Sequence, residues 1–253
     1  MSKRNLFHLT AAGMLLLLAS FAGPVCLAQT TTPPARSNVT ITHVKPDMLD
    51  EWVDLQKNEV LPALKKAGVA SRTTWRTVWG NGYEFLTFTP LAKYAERDEP
   101  NPLTKALGAE ASARLQAKLR RCVESSQSYV SSRMEDLSNI PTTAIPPNAI
   151  VVVTRVRVAP GKAAEWANYV KTEILPVYKK ANARYTVTSR GFGSNPNDRN
   201  IASYAANFAE LDAGPLLTRT LGADAAAKVA AKGVGLSNVI ERTVRRRVPD
   251  LSY

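Results

Sequence analysis

The sequence predicts an α+β fold: two repeats of order β-α-β-β-α-β, each with an antiparallel sheet, closing into one barrel within a single chain. Three observations carry this. "EVLPALKKA" at Glu59–Ala67 returns as "EILPVYKKA" at Glu173–Ala181, an offset of 114 residues. The same offset, read without a gap, relates Glu51-Trp52 to Glu165-Trp166, "LTKALGA" (Leu103–Ala109) to "LTRTLGA" (Leu217–Ala223), and Asp136–Ser138 to Asp250–Ser252. Roughly a third of the aligned positions are identical, which marks an internal duplication. Finally, a sheet covered by helices on one face leaves its other face bare. About 100 residues cannot leave a whole apolar sheet face in water, so the tethered second copy must cover it.

Each copy supplies the elements in the same order. A β-branched run comes first, "NVTITHV" or "IVVVTRVRV", ended by Pro46 or Pro160. A helix follows, from about Asp47 to Ala67 in copy one, with Trp52, Leu55 and Val60 among its apolar positions. Pro62 and Pro176 inside the paired helices read as kinks that let each curve over a twisted sheet. Next, "SRTTWRTVWG", a turn at Asn81-Gly82 and "YEFLTFTP" form a hairpin signal. Copy two has the looser connection "GFGSNPNDRN", which can also support pairing of two chains as a homodimer. A second helix carries Leu103, Leu107, Ala111, Leu115 and Leu119, matched by Leu217, Leu221, Ala225 and Val229, with Gly233 and Gly235 weakening its end. The last strand is "SQSYVSSRM" or "IERTVRRRV". This order is the split βαβ, or ferredoxin-like, unit.

The chain divides accordingly into a leader (1–28), a flexible tether (29–37), repeat 1 (38–138), a proline-rich linker (139–148) and repeat 2 (149–253). In the leader, Lys3 and Arg4 precede the apolar stretch Met14–Gly23, and Cys26 and Ala28 occupy the small-residue positions of a cleavage site. The apolar run is too short to span a bilayer, so it reads as a secretory signal peptide and places the protein in the periplasm or outside the cell. A lipid anchor on Cys26 is the alternative, disfavoured by Pro24 and Val25. Cleavage leaves Cys122 as the single thiol, which cannot form an internal disulfide; its apolar helical setting suits a buried, inert thiol. Loss of Lys3 and Arg4 leaves 31 basic against 21 acidic residues, a net charge of +10. That surplus favours anionic partners. Nucleic acid is disfavoured by the leader and by the lack of a basic run longer than Arg245–Arg247, and no membrane association is expected after cleavage.

The repeat, with "PGK" at Pro160–Lys162, Glu165-Trp166 and the Glu173–Pro176 stretch, resembles the dimeric α+β barrel superfamily, closest in flavour to its NIPSNAP-like and antibiotic-biosynthesis-monooxygenase-like branches. The likeness covers nearly the whole mature chain. It implies the barrel fold. Cofactor-free monooxygenases, haem-degrading enzymes, chlorite dismutases, lactone isomerases and polyketide cyclases share that fold, so no activity follows from it.

Strand parity gives the sharpest site inference. Val153, Arg155 and Arg157 share one face of their strand, and Thr243, Arg245 and Arg247 one face of the last. With the valine faces under the helices, Arg155, Arg157, Arg245 and Arg247 point into the barrel, where an anionic ligand would neutralise them. The other reading is that they sit solvated at strand ends or paired with Glu210, Asp212 or Glu241. Trp75 and Trp79 share a face opposite the small Ser189, Gly191 and Gly193, either walling a ligand cavity or plugging the core. His43, the single histidine after the leader, is a candidate general base or haem ligand and as readily a structural residue; Tyr129 is the other catalytic candidate. Glu59 and Glu173, on the apolar helical stripe, offer an acid or base of raised pKa; the preferred reading is of scaffold groups that hydrogen-bond backbone or pair with Arg76 or Arg190. No metal or cofactor site is expected, since neither a metal-ligand cluster nor a phosphate or dinucleotide loop occurs. The function expected is binding, with conversion open, of a small anionic or aromatic molecule in the lumen. A non-catalytic envelope protein with a filled lumen is the alternative.

Overall fold

The computed structural model describes residues 35–253. The leader at 1–28 and most of the tether lie outside the described residues. Repeat 1 runs β1 (Arg36–Val44), α1 (Leu49–Leu55), α2 (Leu61–Lys66), β2 (Thr73–Trp79), β3 (Glu84–Pro90), α3 (Pro102–Leu107), α4 (Ala109–Cys122) and β4 (Val123–Arg133). Repeat 2 runs β5 (Ile150–Val158), α5 (Ala163–Tyr169), α6 (Leu175–Lys180), β6 (Tyr185–Arg190), β7 (Asp198–Ala205), α7 (Phe208–Asp212), α8 (Leu216–Leu221), α9 (Ala223–Lys232) and β8 (Ser237–Arg247). The strands close into one antiparallel barrel of order β1-β3-β2-β8-β5-β7-β6-β4, with β4 returning to β1. The two halves meet where β2 pairs β8 and where β4 pairs β6. Among the described residues, no helix is long and apolar enough to cross a membrane.

The prolines act through π-helical turns. Between α1 and α2 the Leu61 N–H reaches back to the Gln56 carbonyl, and between α5 and α6 the Leu175 N–H reaches the Val170 carbonyl. Pro62 and Pro176 then fall in the first turn of the continuing helix, where a missing N–H costs nothing. Helices cover only the outside of the sheet. Trp52, Phe85 and Leu115 pack on that side in repeat 1, and Trp166, Val170 and Val187 in repeat 2. Cys122 is fully buried in the first of these clusters, and burial raises its thiol pKa.

The gap-free alignment needs one correction. Thr77 pairs with Arg245 and Trp75 with Arg247, whereas Arg190 pairs with Ser131 and Thr188 with Arg133. Ser131 and Arg133 precede Arg245 and Arg247 by the repeat offset, so Arg190 stands in Thr77's place and Thr188 in Trp75's. The register returns in the next strand, where Trp75 faces Leu86 and Thr188 faces Asn200. Copy two lacks one residue before β6 and regains it in the longer β6–β7 loop.

That loop also corrects the expected packing of tryptophans on glycines. A Cβ on Gly193 would lie 2.4 Å from the Ser128 carbonyl, and the Val130 N–H donates to the Phe192 carbonyl. The glycines let the loop lie against the backbone of β4, away from both tryptophans. Glu59 and Glu173 bind Lys118 and Lys232, at 2.9 and 2.7 Å, instead of Arg76 and Arg190. Arg76 lies over the Phe85 ring, and Arg190 lies inside the barrel, where neither helix reaches.

Candidate functional site

The barrel interior is built from alternate residues of all eight strands. Towards the linker it is apolar and aromatic: Val39, Trp75, Leu86, Tyr129 and Val151 form one cluster with Phe88 and Tyr204 at its edge. The linker closes this end, with Ile145 packed into the cluster and Arg184 donating to the Pro141 and Thr143 carbonyls. A cavity of about 200 Å³ remains, and its lining reaches Ser37, Arg133 and Thr188.

Towards the other end the interior is charged. Arg245 is buried and binds Glu84 at 3.1 Å; the Thr77 hydroxyl donates to the same carboxylate oxygen at 2.6 Å. Burial favours the neutral Glu84 carboxyl, but the Thr77 hydrogen bond and the Arg245 charge, with His43 adding, hold it below the ordinary carboxylate range. His43 bridges the Ser125 hydroxyl (2.9 Å, Nδ1) and Glu84 (3.3 Å, Nε2) at the barrel rim. Both ring nitrogens are engaged, and His43 lines none of the cavities described here, so its setting does not fit a haem ligand. Tyr129 lies in the middle of the interior, its hydroxyl accepting from Asn200 at 3.2 Å.

The four arginines expected to converge do not. Arg245 and Arg155 face the interior, and Arg155 lies 3.7 Å from Glu241. Arg157 sits at the exposed strand end and forms a two-pronged pair with buried Asp198, at 2.8 and 3.3 Å. Arg247 is drawn to the opposite end, where it donates to the Ile145 carbonyl at 3.3 Å. Arg190, which the sequence reading assigned to scaffold pairing, lies in the charged end instead. Its position follows from the one-residue slip before β6, which gap-free alignment hides.

Trp79 leaves the interior altogether. A β-bulge between Thr77 and Trp79 breaks the alternation, so Trp79 emerges on the outer face, 58% exposed, against Phe208 at 5.2 Å. There it lines the largest cavity described, about 460 Å³, lying between the sheet of repeat 2 and its helices. Small sheet residues, Ser203 and Ala205, leave the space, and the left-handed turn at Gly214 followed by Pro215 carries α8 across it. Its apolar walls include Val152, Val244, Leu211, Leu216 and Leu217. Arg219 and Arg242 line it together with the Tyr178 phenol and Ser203. Burial pushes that phenol up, while Ser203 and the two guanidinium groups draw it partly back. Arg219 touches Glu210 at 3.5 Å; Arg242 has no carboxylate within 4 Å among the described residues.

Repeat 1 has a smaller counterpart, about 340 Å³, lined by Thr40, Thr42, Thr87 and Thr89. Its buried Arg72 is held by Gln56 at 2.7 Å, and burial lowers its pKa to about 10. At the repeat offset Arg219, Arg242 and Tyr178 become Lys105, Ser128 and Leu64. The arginine pair belongs to repeat 2 alone. No group of three or more potential metal ligands occurs among the described residues.

No family model and no curated protein matches the chain. Solved structures do. A protein provisionally called a monooxygenase from Lactobacillus acidophilus NCFM superposes with a TM-score of 0.55 at 12% identity, over 87% of this chain and 95% of that one. Chlorite dismutase from Candidatus Nitrospira defluvii, in complex with imidazole, gives 0.54 at 7% identity over 87% and 93%. An anthrone oxidase-like protein gives 0.52 at 12% over 85% and 92%. Identities this low establish the fold alone: the chain has the architecture of the dimeric α+β barrel proteins, with both halves supplied by one polypeptide.

Proposed function

We propose that the protein binds a small amphipathic anion, a carboxylate with an apolar body, in the cavity between the helices and sheet of repeat 2. One observation carries this reading: Arg219 and Arg242 both line a largely apolar cavity and both act on its Tyr178 phenol, and the corresponding positions of repeat 1 carry Lys105 and Ser128 instead. Two guanidinium groups beside an apolar chamber match a ligand with one charged end, because a carboxylate accepts paired hydrogen bonds from arginine while its body displaces water from apolar walls. The fold neighbours named for a monooxygenase and an anthrone oxidase-like protein support conversion as well as binding. A non-catalytic binding protein is the second reading. It is favoured by Glu210, the one carboxylate lining the cavity, being engaged already by Arg219 and the Ala206 amide. Export through the leader belongs to this proposal, as does homodimer formation, in which exposed Phe192 and Val239 would seat a second copy.

Titration with decanoate, followed by calorimetry and by Trp79 fluorescence, tests the site. Arg219→Gln and Arg242→Gln are each expected to weaken binding about tenfold, the value of one charge-assisted hydrogen bond. Decanol binding should stay unchanged. Decanoate affinity unchanged from wild type in both variants would remove the reading.

A further inference from the structure

The charges of the barrel interior do not cancel. At its charged end three guanidinium groups, Arg155, Arg190 and Arg245, meet two carboxylates, Glu84 and Glu241. Arg245 has Glu84 and Arg155 has Glu241. The nearby Asp198 is committed to Arg157. Arg190 is left over, 5% exposed, with no carboxylate within 4 Å among the described residues. Its Nε donates to Ser194 at 2.7 Å, and its guanidinium plane lies over the Tyr129 ring at 3.8 Å. Stacking and one hydroxyl do not neutralise a buried cation. The Arg155 Nε nearby is buried without any hydrogen-bond partner, a second unmet donor at the same place.

Space adjoins these donors. A niche of about 30 Å³ lies among Arg155, Arg190 and Arg245, enough for a carboxylate or one water. It adjoins the 200 Å³ aromatic cavity, sharing Leu86, Tyr129, Val153, Asn200 and Arg245 with it, so a cationic floor lies next to a ring-lined chamber. The chamber also reaches the β4–β6 seam, which is held by only three residue pairs and is the weakest lateral contact of the barrel.

We propose that the barrel interior is a second binding site, for a single-ring aryl carboxylate, with its anionic head at Arg190 and its ring among Trp75, Phe88 and Tyr204. The interior is too small for a long acyl chain, and a flat ring meets three aromatic side chains there. This site shares neither Arg219 nor Arg242 with the cavity under the helices, so the two proposals stand or fall separately.

Benzoate is the probe, by calorimetry and thermal shift on the whole protein. Wild type is expected to bind benzoate in the barrel interior and to melt at higher temperature in its presence. Arg190→Gln should lose about 10- to 100-fold in affinity, the range for hydrogen bonds to a charged group. Its melting temperature without ligand should hold or rise, because it removes an uncompensated buried charge; a purely structural arginine would lower it. Arg190→Lys keeps the charge but not the flat stack, and serves should the glutamine variant misfold; it too should weaken benzoate at least about tenfold. The double variant Arg219→Gln/Arg242→Gln, which removes the arginines of the other cavity, should retain one benzoate per chain at the wild-type affinity of the interior site. Absence of saturable benzoate binding, undiminished affinity in the Arg190 variants, or loss in the double variant would each overturn the proposal.

Discussion

Glu84→Ala is expected to destabilise the protein by about 3–5 kcal/mol in urea unfolding at neutral pH, because removing one partner of a buried pair leaves the other charge uncompensated. Arg245 is 6% exposed and has no second carboxylate within reach among the described residues. The same substitution strips the acceptor from Thr77 and the ring-nitrogen partner from His43. Glu84 also sets a pH dependence. Its folded pKa lies below the ordinary 4.5, so the folded state binds that proton more weakly than the unfolded chain. The stability it confers is therefore complete above about pH 4.5 and is lost as pH falls through the depressed folded value. Glu84→Gln should be less stable at neutral pH and should flatten that acid limb. A limb of unchanged slope in Glu84→Gln would mean that the carboxylate is not held by Thr77 and Arg245.

Trp75→Ala is expected to cost about 3–5 kcal/mol, through lost transfer energy and the cavity left behind. Its indole is buried, packs edge-on to Tyr204 with ring centres 6.0 Å apart, and sits on Leu86, Tyr129 and Val151. These contacts join strands of both repeats. Trp79→Ala, four residues further along the strand, should cost less than about 1 kcal/mol, since that ring is mostly in solvent. Equal losses for the two tryptophans in chemical denaturation would contradict the bulge that separates them.

The contrast between these tryptophans shows where sequence reading stops. The duplication, the element order and the closed barrel were legible, because apolar periodicity and the repeated motifs report on packing at every turn. Parity correctly placed Arg155 and Arg245 inside, since β5 pairs with β7 in unbroken register through Arg155, and Arg245 lies in the unbroken stretch of β5–β8 pairing that ends at Arg155. It failed at Trp79, where one bulged residue reverses the face, and at Arg190, where a one-residue slip has the same effect. Arg157 and Arg247 keep the right parity but lie at opposite strand ends, a separation that alternation alone does not encode. The cavity under the helices of repeat 2 left a weaker trace. Its signal was the divergence of Arg219, Arg242 and Tyr178 from Lys105, Ser128 and Leu64 at the repeat offset.

Every site described depends on two sheets sealed against each other along β2–β8 and β4–β6, so the decisive measurement is the behaviour of each repeat by itself. Residues 35–138 and 149–253, produced separately and examined by circular dichroism with analytical ultracentrifugation, should be either unfolded or self-associated, and mixing them should yield a folded one-to-one complex. A stable, folded monomer from either half would show that a single sheet tolerates water on its inner face, and the shared barrel would no longer be needed.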